Sequence, residues 1–111
     1  MIVEYEKRGR TAVITLNRPE ARNAVSGELA QALEEAIDKL EADDDVWVGI
    51  LAGNGPVFCA GADLKAVASG KANLGTSRGG FGGFVTLERT KPVIAAVEGP
   101  AVAGGCELVL A

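Results

Sequence analysis

Three short runs of β-branched and apolar residues do most to limit the folds open to this chain: Thr11 to Leu16, Val46 to Ala52 and Val93 to Val97. Each is too short for a buried helix and is bounded by Gly, Pro, Asn or Asp, so each reads as a strand, the last two as buried ones. Ile2 to Lys7 alternates and forms a further strand ahead of the first run, with Gly9-Arg10 as the turn between them. Between the first two runs, Leu29, Leu33, Ile37 and Leu40 recur at helical spacing. Glu34, Glu35, Asp38, Lys39 and Glu41 lie opposite, which predicts an amphipathic helix of roughly four turns. Ser26 is its expected N-cap, and Glu28 in the first turn complements the helix dipole. Asp43-Asp44-Asp45 ends the helix as a solvated loop.

After the second run, Gly53-Asn54-Gly55-Pro56 turns the chain. Val57 to Ala60 continues extended, and Gly61-Ala62-Asp63-Leu64-Lys65 opens a second helix. Gly70 to Gly83 is rich in glycine and poor in large apolar residues, which predicts a mobile segment or a lid over a site. Phe84 to Arg89 is expected as a short helix. Gly99-Pro100 leads into a last stretch, Ala101 to Ala111, that begins as loop and ends as helix. The order ββα, β, α, β, α, with neither repeat nor linker, makes one α/β unit.

Charge and composition narrow the function classes. The net charge is −4, with 11 Lys and Arg against 15 Asp and Glu. That balance argues against a nucleic-acid surface, which needs clustered cations. No apolar run is long enough to span a membrane. Glu4, Glu6, Lys7 and Arg8 interrupt any signal-peptide core, so a cytoplasmic location is the default expectation. The chain has no histidine. Ser-His-Asp and Cys-His arrangements and most zinc sites are thereby excluded from it, and no metal is expected. Cys59 and Cys106 read as two buried free thiols.

The chemistry concentrates in two stretches of similar design, Phe58-Cys59-Ala60-Gly61-Ala62-Asp63 and Val102-Ala103-Gly104-Gly105-Cys106-Glu107. In each, extended chain runs through small residues into a helix. Small residues let a ligand approach the backbone, and the first N–H groups of a helix lack internal partners. Two such N–H groups aimed at one point make an oxyanion hole, although Gly-rich turns of this kind are also common packing solutions. Glu107 is the one charged residue in its apolar stretch, which predicts a buried carboxylate. Three residues beyond Gly104, it lies about one helical turn from that N–H. A donor pair beside an acid–base group suits reactions that pass through an enolate. The alternative is a structural carboxylate paired with an Arg or Lys from elsewhere. Asp63 reads as a first-turn helix stabiliser and Lys65 as a solvated lysine able to reach an anionic ligand.

Leu16-Asn17-Arg18-Pro19-Glu20-Ala21-Arg22-Asn23-Ala24, Val57 to Lys65, and Lys91 to Gly99 running on to Gly104-Gly105-Cys106-Glu107-Leu108 together resemble the enoyl-CoA hydratase/isomerase (crotonase) family. The resemblance spans the chain and keeps the motif order. It implies a crotonase-like spiral of repeated ββα units, of which residues 1–111 would be the N-terminal part of the core domain. The C-terminal helices that cap the site and build a homotrimer or a dimer of trimers would lie outside it. It also implies an acyl-CoA thioester substrate whose coenzyme A is part of the substrate rather than a separate cofactor.

By position, Ala62 and Gly104 match the two oxyanion-hole donors and Glu107 the first of two catalytic glutamates. The second would follow Ala111. Ala24, Ala60 and Leu64 match the adenine pocket, and Lys65 a position near the CoA phosphates. With Arg22 and Asp63, these are the expected CoA-contacting residues. A further lysine of the family would fall at Glu20, of opposite charge, where Arg22 is the substitute at hand. Glu98 stands where the family motif has Asn or His. The activity implied is hydration of a 2-enoyl-CoA, as in fatty-acid β-oxidation. The alternatives are an isomerase, dehalogenase or other enolate enzyme of the family, or a non-catalytic domain for CoA binding or assembly.

Overall fold

A computed structural model describes residues 1–70 and 73–111. Its centre is a four-stranded sheet in the order β1-β2-β3-β6, built from Val3–Arg8, Thr11–Leu16, Val48–Gly53 and Val93–Ala95. β1 and β2 form an antiparallel hairpin with Val3 opposite Leu16 and Arg8 opposite Thr11. β2 and β3 are parallel, as are β3 and β6. A parallel pair needs a crossover, and the helix α1, Gly27–Ala42, supplies it between β2 and β3.

Local chemistry sets the bounds of α1. The Ser26 hydroxyl accepts from the Leu29 N–H at 3.2 Å, and Asp43 closes the C-terminal end. The predicted apolar stripe is its buried face: Leu29, Leu33, Ile37 and Leu40 are fully buried with Ala30. It packs on the sheet face carrying Ala12, Ile14, Leu16 and Leu51, and this is the core. At about 25 cal/mol per Å² of apolar surface removed from water, this stripe is the main stabilising element of the unit.

Two expected buried strands differ from prediction. β3 begins at Val48, Trp47 before it is 64% exposed, and only alternate residues of the strand are fully buried. α1 covers one face of β3, and the other is left half-covered. β6 is a three-residue edge strand, and its Ile94 is 56% exposed. The acidic loop after α1 is also less free than expected. Asp43 and Asp45 take Lys7 as an ion-pair partner, and Asp45 pairs with Arg10.

The glycine-rich segment differs most. Gly75–Thr76 (β4) and Gly80–Phe81 (β5) pair as a small antiparallel hairpin docked on α1. Residues 71 and 72, part of the expected mobile segment or lid, lie outside the described residues. Phe84 to Thr86 is turn and Leu87 to Arg89 has no regular structure, so the expected helix is not formed. Phe84 and Leu87 are buried there. The short helix α2, Leu64–Ala68, precedes the hairpin, and α3, Gly104–Leu110, ends the chain.

Candidate functional site

The two small-residue stretches run side by side. The N–H groups of Phe58 and Cys59 donate to the Pro100 carbonyl at 3.0 and 3.3 Å, and Val102 N–H returns to Cys59 O at 3.2 Å. Gly61, at φ +94°, makes the next step possible. A Cβ there would lie 3.1 Å from the Gly104 nitrogen and 3.2 Å from Val102 O. Only glycine allows the loops to touch in this way.

Several N–H groups of the two loops have no partner among the described residues, and those of Ala62 and Gly104 are among them. Val25 N–H donates to Gly61 O at 2.7 Å and Asp63 N–H to Val25 O at 2.8 Å. Both neighbours of Ala62 are thus turned towards Val25, and the Ala62 N–H faces away from it. Gly105 N–H is used by Val102 O and Glu107 N–H by Ala103 O. Among the described residues, neither the Ala62 nor the Gly104 N–H has a hydrogen-bond partner. Ala103, immediately before Gly104, sits at φ +49° and ψ −119°, a conformation that side-chain-bearing residues rarely adopt.

Glu107 is exposed, contrary to the buried carboxylate predicted from its apolar neighbours. α3 packs through Gly104, Gly105 and Leu108, and Cys106, Glu107 and Leu110 lie on its uncovered side. Among the described residues no hydrogen bond or ion pair engages the Glu107 carboxylate, and none of the expected Arg or Lys partners reaches it. The thiols also divide: Cys59 is buried and Cys106 exposed. Burial pushes the Cys59 thiol up, and its Sγ donates to Asn23 O at 3.1 Å.

The other expected residues gather on the adjoining loops. Ala60 N–H donates to Arg22 O at 3.0 Å, which joins the 18–24 and 59–63 segments. Ala24 and Ala60 are half-buried, whereas Leu64 is 78% exposed and Lys65 points into solvent. Both oxygens of Asp63 are engaged within the chain. Oδ1 caps α2 by accepting from Lys65 N–H at 2.9 Å and Ala66 N–H at 3.2 Å. Oδ2 pairs with Arg18 Nη1 at 2.6 Å. Arg18, followed by the Ala66 N–H, holds the Asp63 carboxyl below the usual carboxylate range. An open groove of about 710 Å³ lies beside this pair, with Lys65, Ser26 and Asn73 on its walls. It touches neither Glu107 nor Gly104.

Sequence reasoning passed over Arg18 and Asn23. Arg18 Nη1 donates to Ala24 O at 3.0 Å besides pairing with Asp63, so one side chain braces its own turn and ties it to the 59–63 segment. Asn23 is fully buried, and its amide holds the 54–58 turn against the 18–23 turn. A polar turn of the form Asn-Arg-Pro with Asn again five residues after Arg is a visible signal, since Asn tolerates the left-handed conformation. Glu20 and Glu98 are both exposed.

The sequence profile described as Enoyl-CoA hydratase/isomerase matches residues 6–111. The chain belongs to the enoyl-CoA hydratase/isomerase family. It is 44% identical over 110 residues to the enoyl-CoA hydratase EchA19 of Mycobacterium tuberculosis, a match covering 94% of this chain and 41% of that protein. A short-chain-enoyl-CoA hydratase from Clostridium acetobutylicum is 40% identical over 112 residues, covering 97% of this chain and 43% of that one. Among solved structures, a probable enoyl-CoA hydratase/isomerase from Mycobacterium abscessus superposes with a TM-score of 0.90 at 50% identity, covering 98% of this chain and 42% of that one. A carnitinyl-CoA hydratase from Mycobacterium avium gives 0.90 at 44% identity, covering 96% and 42%. The mixed sheet and its α1 crossover are therefore part of the crotonase fold. The chain spans less than half the length of these relatives.

No helix among the described residues is long and apolar enough to cross a membrane. Nor do the described residues gather three or more His, Cys, Asp or Glu side chains into a metal-binding group.

Proposed function

We propose that the whole protein is an enoyl-CoA hydratase, adding water across the 2,3 double bond of a 2-enoyl-CoA thioester, and that this chain is the N-terminal part of its core domain. The observation that carries most weight is the pair of unpartnered N–H groups, Ala62 and Gly104, on two loops in van der Waals contact. In a chain of this family, that pair fits the thioester carbonyl oxygen. The water oxygen bonds to C3 as the double-bond electrons shift towards the thioester. The enolate oxygen so formed accepts from both N–H groups, each donor contributing about 3–4 kcal/mol. A proton then joins C2. Glu107, one turn along α3 from Gly104, exchanges the water's proton as general base, together with a second glutamate that the family resemblance assigns outside these residues.

Coenzyme A arrives as part of the substrate, with no separate cofactor. Ala24, Ala60 and Leu64 line its adenine, and the exposed Lys65 ammonium meets its phosphates with Arg22 nearby. Asp63 shapes this loop through its cap and its ion pair. A homotrimer or a pair of trimers in the cytoplasm fits the family. The exposed Ile94, Val97, Val102 and Leu110 support coverage of these residues by further polypeptide. An isomerase or another enolate enzyme would use the same two donors, and only Glu107 favours hydration over them.

The test is hydration of a short 2-enoyl-CoA by the whole protein and its Glu107→Gln variant. Turnover is expected to fall at least about 100-fold with thioester affinity retained. Full turnover in the variant would remove Glu107 from the chemistry, and absence of hydration with isomerisation of a 3-enoyl-CoA would establish the isomerase instead.

A further inference from the structure

The β4–β5 hairpin touches α1 and α3, and the two contacts differ in kind. Against α3 it is apolar and close. A Cβ at Gly104 would meet Cζ of the Phe81 ring and would lie 2.6 Å from its Cε2. At Gly82, the next residue, a Cβ would lie 3.0 Å from Leu108 Cδ2. The first turn of α3, and with it the Gly104 N–H, therefore has the hairpin as a direct neighbour.

Against α1 the hairpin is held by charge. Arg78 meets Asp38 with both ends of its fork, Nη1 at 3.3 Å from Oδ1 and Nη2 at 2.7 Å from Oδ2. The same Nη2 lies 2.8 Å from Glu34 Oε1. Among the described residues no other side chain of the 75–81 segment bonds to α1. The two carboxylates are not equivalent. Asp38 is exposed, whereas Glu34 is only 8% exposed and its Oε2 is buried without a hydrogen-bond partner. Arg78 is the one ion-pair partner of Glu34 among the described residues, so its loss strands a nearly buried charge. Gly83 backs onto the Ala30 carbonyl, and Phe84 beside it is buried. Apolar burial of this kind is non-directional, whereas a guanidinium fork on a carboxylate fixes geometry. The burial keeps the hairpin on α1, and Arg78 fixes where along the helix it sits.

We infer that Arg78 is a positioning residue for the enolate step: its clasp on Glu34 and Asp38 places the hairpin, Phe81 of the hairpin places Gly104, and the direction of the Gly104 N–H follows. This rests on the hydratase reading above. Arg78 touches neither donor and acts through the Phe81 contact. Ala103 and Gly61 restrain Gly104 from the donor loops, and the hairpin adds a restraint anchored on the core helix.

The experiment measures kcat and KM of the whole protein for a four-carbon 2-enoyl-CoA, with unfolding midpoints, in the wild type, Arg78→Lys, Arg78→Gln and the double variant Arg78→Gln/Glu34→Gln. A displacement of about 1 Å at a reacting centre can cost about 100-fold. In Arg78→Gln, kcat is expected to fall at least about tenfold and KM to rise by less, because the thioester oxygen gains its charge only in the transition state. Arg78→Lys keeps the charge without the fork and is expected to restore part of kcat. The double variant removes the stranded charge together with the clasp, so it serves where Arg78→Gln does not fold, and its kcat is expected to stay low. If neither glutamine variant folds, Arg78→Lys decides. A lowered midpoint with wild-type kcat in the deciding variant shows Arg78 to be structural only and overturns the inference, leaving the hydratase reading standing. Recovery of wild-type kcat in the double variant overturns it too, since the stranded charge and not the lost clasp would then have slowed Arg78→Gln. Absence of hydration by the wild type overturns both.

Discussion

Replacing Asn23 by alanine should destabilise this chain more than any other single polar truncation in it. Asn23 is fully buried. Its Nδ2 donates to the carbonyls of Asn54 at 2.9 Å, Val57 at 3.0 Å and Phe58 at 3.0 Å, and its Oδ1 accepts from Arg18 N–H at 2.8 Å. Alanine leaves the Arg18 N–H and these carbonyls without that partner in a site with little room for water. Each orphaned buried group costs about 1–3 kcal/mol, so two of them cost about 2–6. The backbone adds to this. Asn23 sits at φ +54°, where a Cβ without a local hydrogen bond costs about 1–2 kcal/mol. The sum for Asn23→Ala is about 3–8 kcal/mol, a large share of the 5–15 or so that holds a domain together. Asn23→Gly orphans the same groups but relieves the backbone, and should be about 1 kcal/mol less damaging. Urea unfolding followed by far-ultraviolet circular dichroism measures both. A wild-type midpoint for Asn23→Ala would refute the claim that this amide holds the two turns together. Equal midpoints for the two variants would refute the backbone part.

Two further predictions concern the donor loops. Ala103→Gly removes the strain at φ +49°, ψ −119°, worth about 1–3 kcal/mol, against a glycine entropy cost of about 0.5–1, so thermal unfolding should shift upward; a lower midpoint would show that Ala103 is not strained. Asp63→Asn should weaken the acid sensitivity of folding. Arg18 and then the Ala66 N–H lower the Asp63 carboxyl, so its contribution is present above the unfolded carboxylate value of about 3.9 and is lost as pH falls through the folded value. The stability gap between wild type and variant should therefore be full at pH 7 and close below about pH 4, and a gap that persisted at pH 2 would exclude the ion pair as its source.

Periodicity exposed the parts of this fold that depend on burying one face. The α1 stripe and the β1–β2 hairpin were legible because a 3.6-residue or two-residue repeat of apolar residues seldom arises except in an element with one buried face. β3 and β6 were legible as strands but not as exposed ones, because a short apolar run is the same whether its outer face is covered or bare. Phe84 to Leu87 misled for a related reason. Its apolar residues are buried by a hairpin that glycines dock onto α1, and glycine-rich sequence does not distinguish such docking from mobility. In the candidate site, the small-residue loops could be found from composition, since close backbone approach demands them. The side chains that hold those loops could not. Arg18 pairs with Asp63, which is 45 positions away in the numbering, and nothing local marks either as the other's partner. Glu107 shows the reverse error. Apolar neighbours in sequence predicted a buried carboxylate, but on a helix that packs one face they say little about the other.

The groups proposed to act on the thioester differ in how firmly the chain fixes them. Val25 holds the residues on both sides of Ala62, so the direction of that N–H is determined by the fold. The Gly104 N–H is determined by Ala103 before it and by the Gly61 contact beside it. Fixed dipoles stabilise a developing oxyanion without reorganising during the reaction, which is where such donors are most effective. The Glu107 carboxylate is exposed and has no partner among the described residues, so ordering its side chain costs about 1.5–2 kcal/mol of rotamer freedom. On the proposed reading, the chain itself fixes the two N–H donors and leaves the Glu107 carboxylate to be ordered by contacts outside the described residues. Lesions in the two halves of the device should accordingly separate. Truncating Glu107 should reduce turnover and spare binding, whereas distorting the Gly61–Gly104 contact should reduce both.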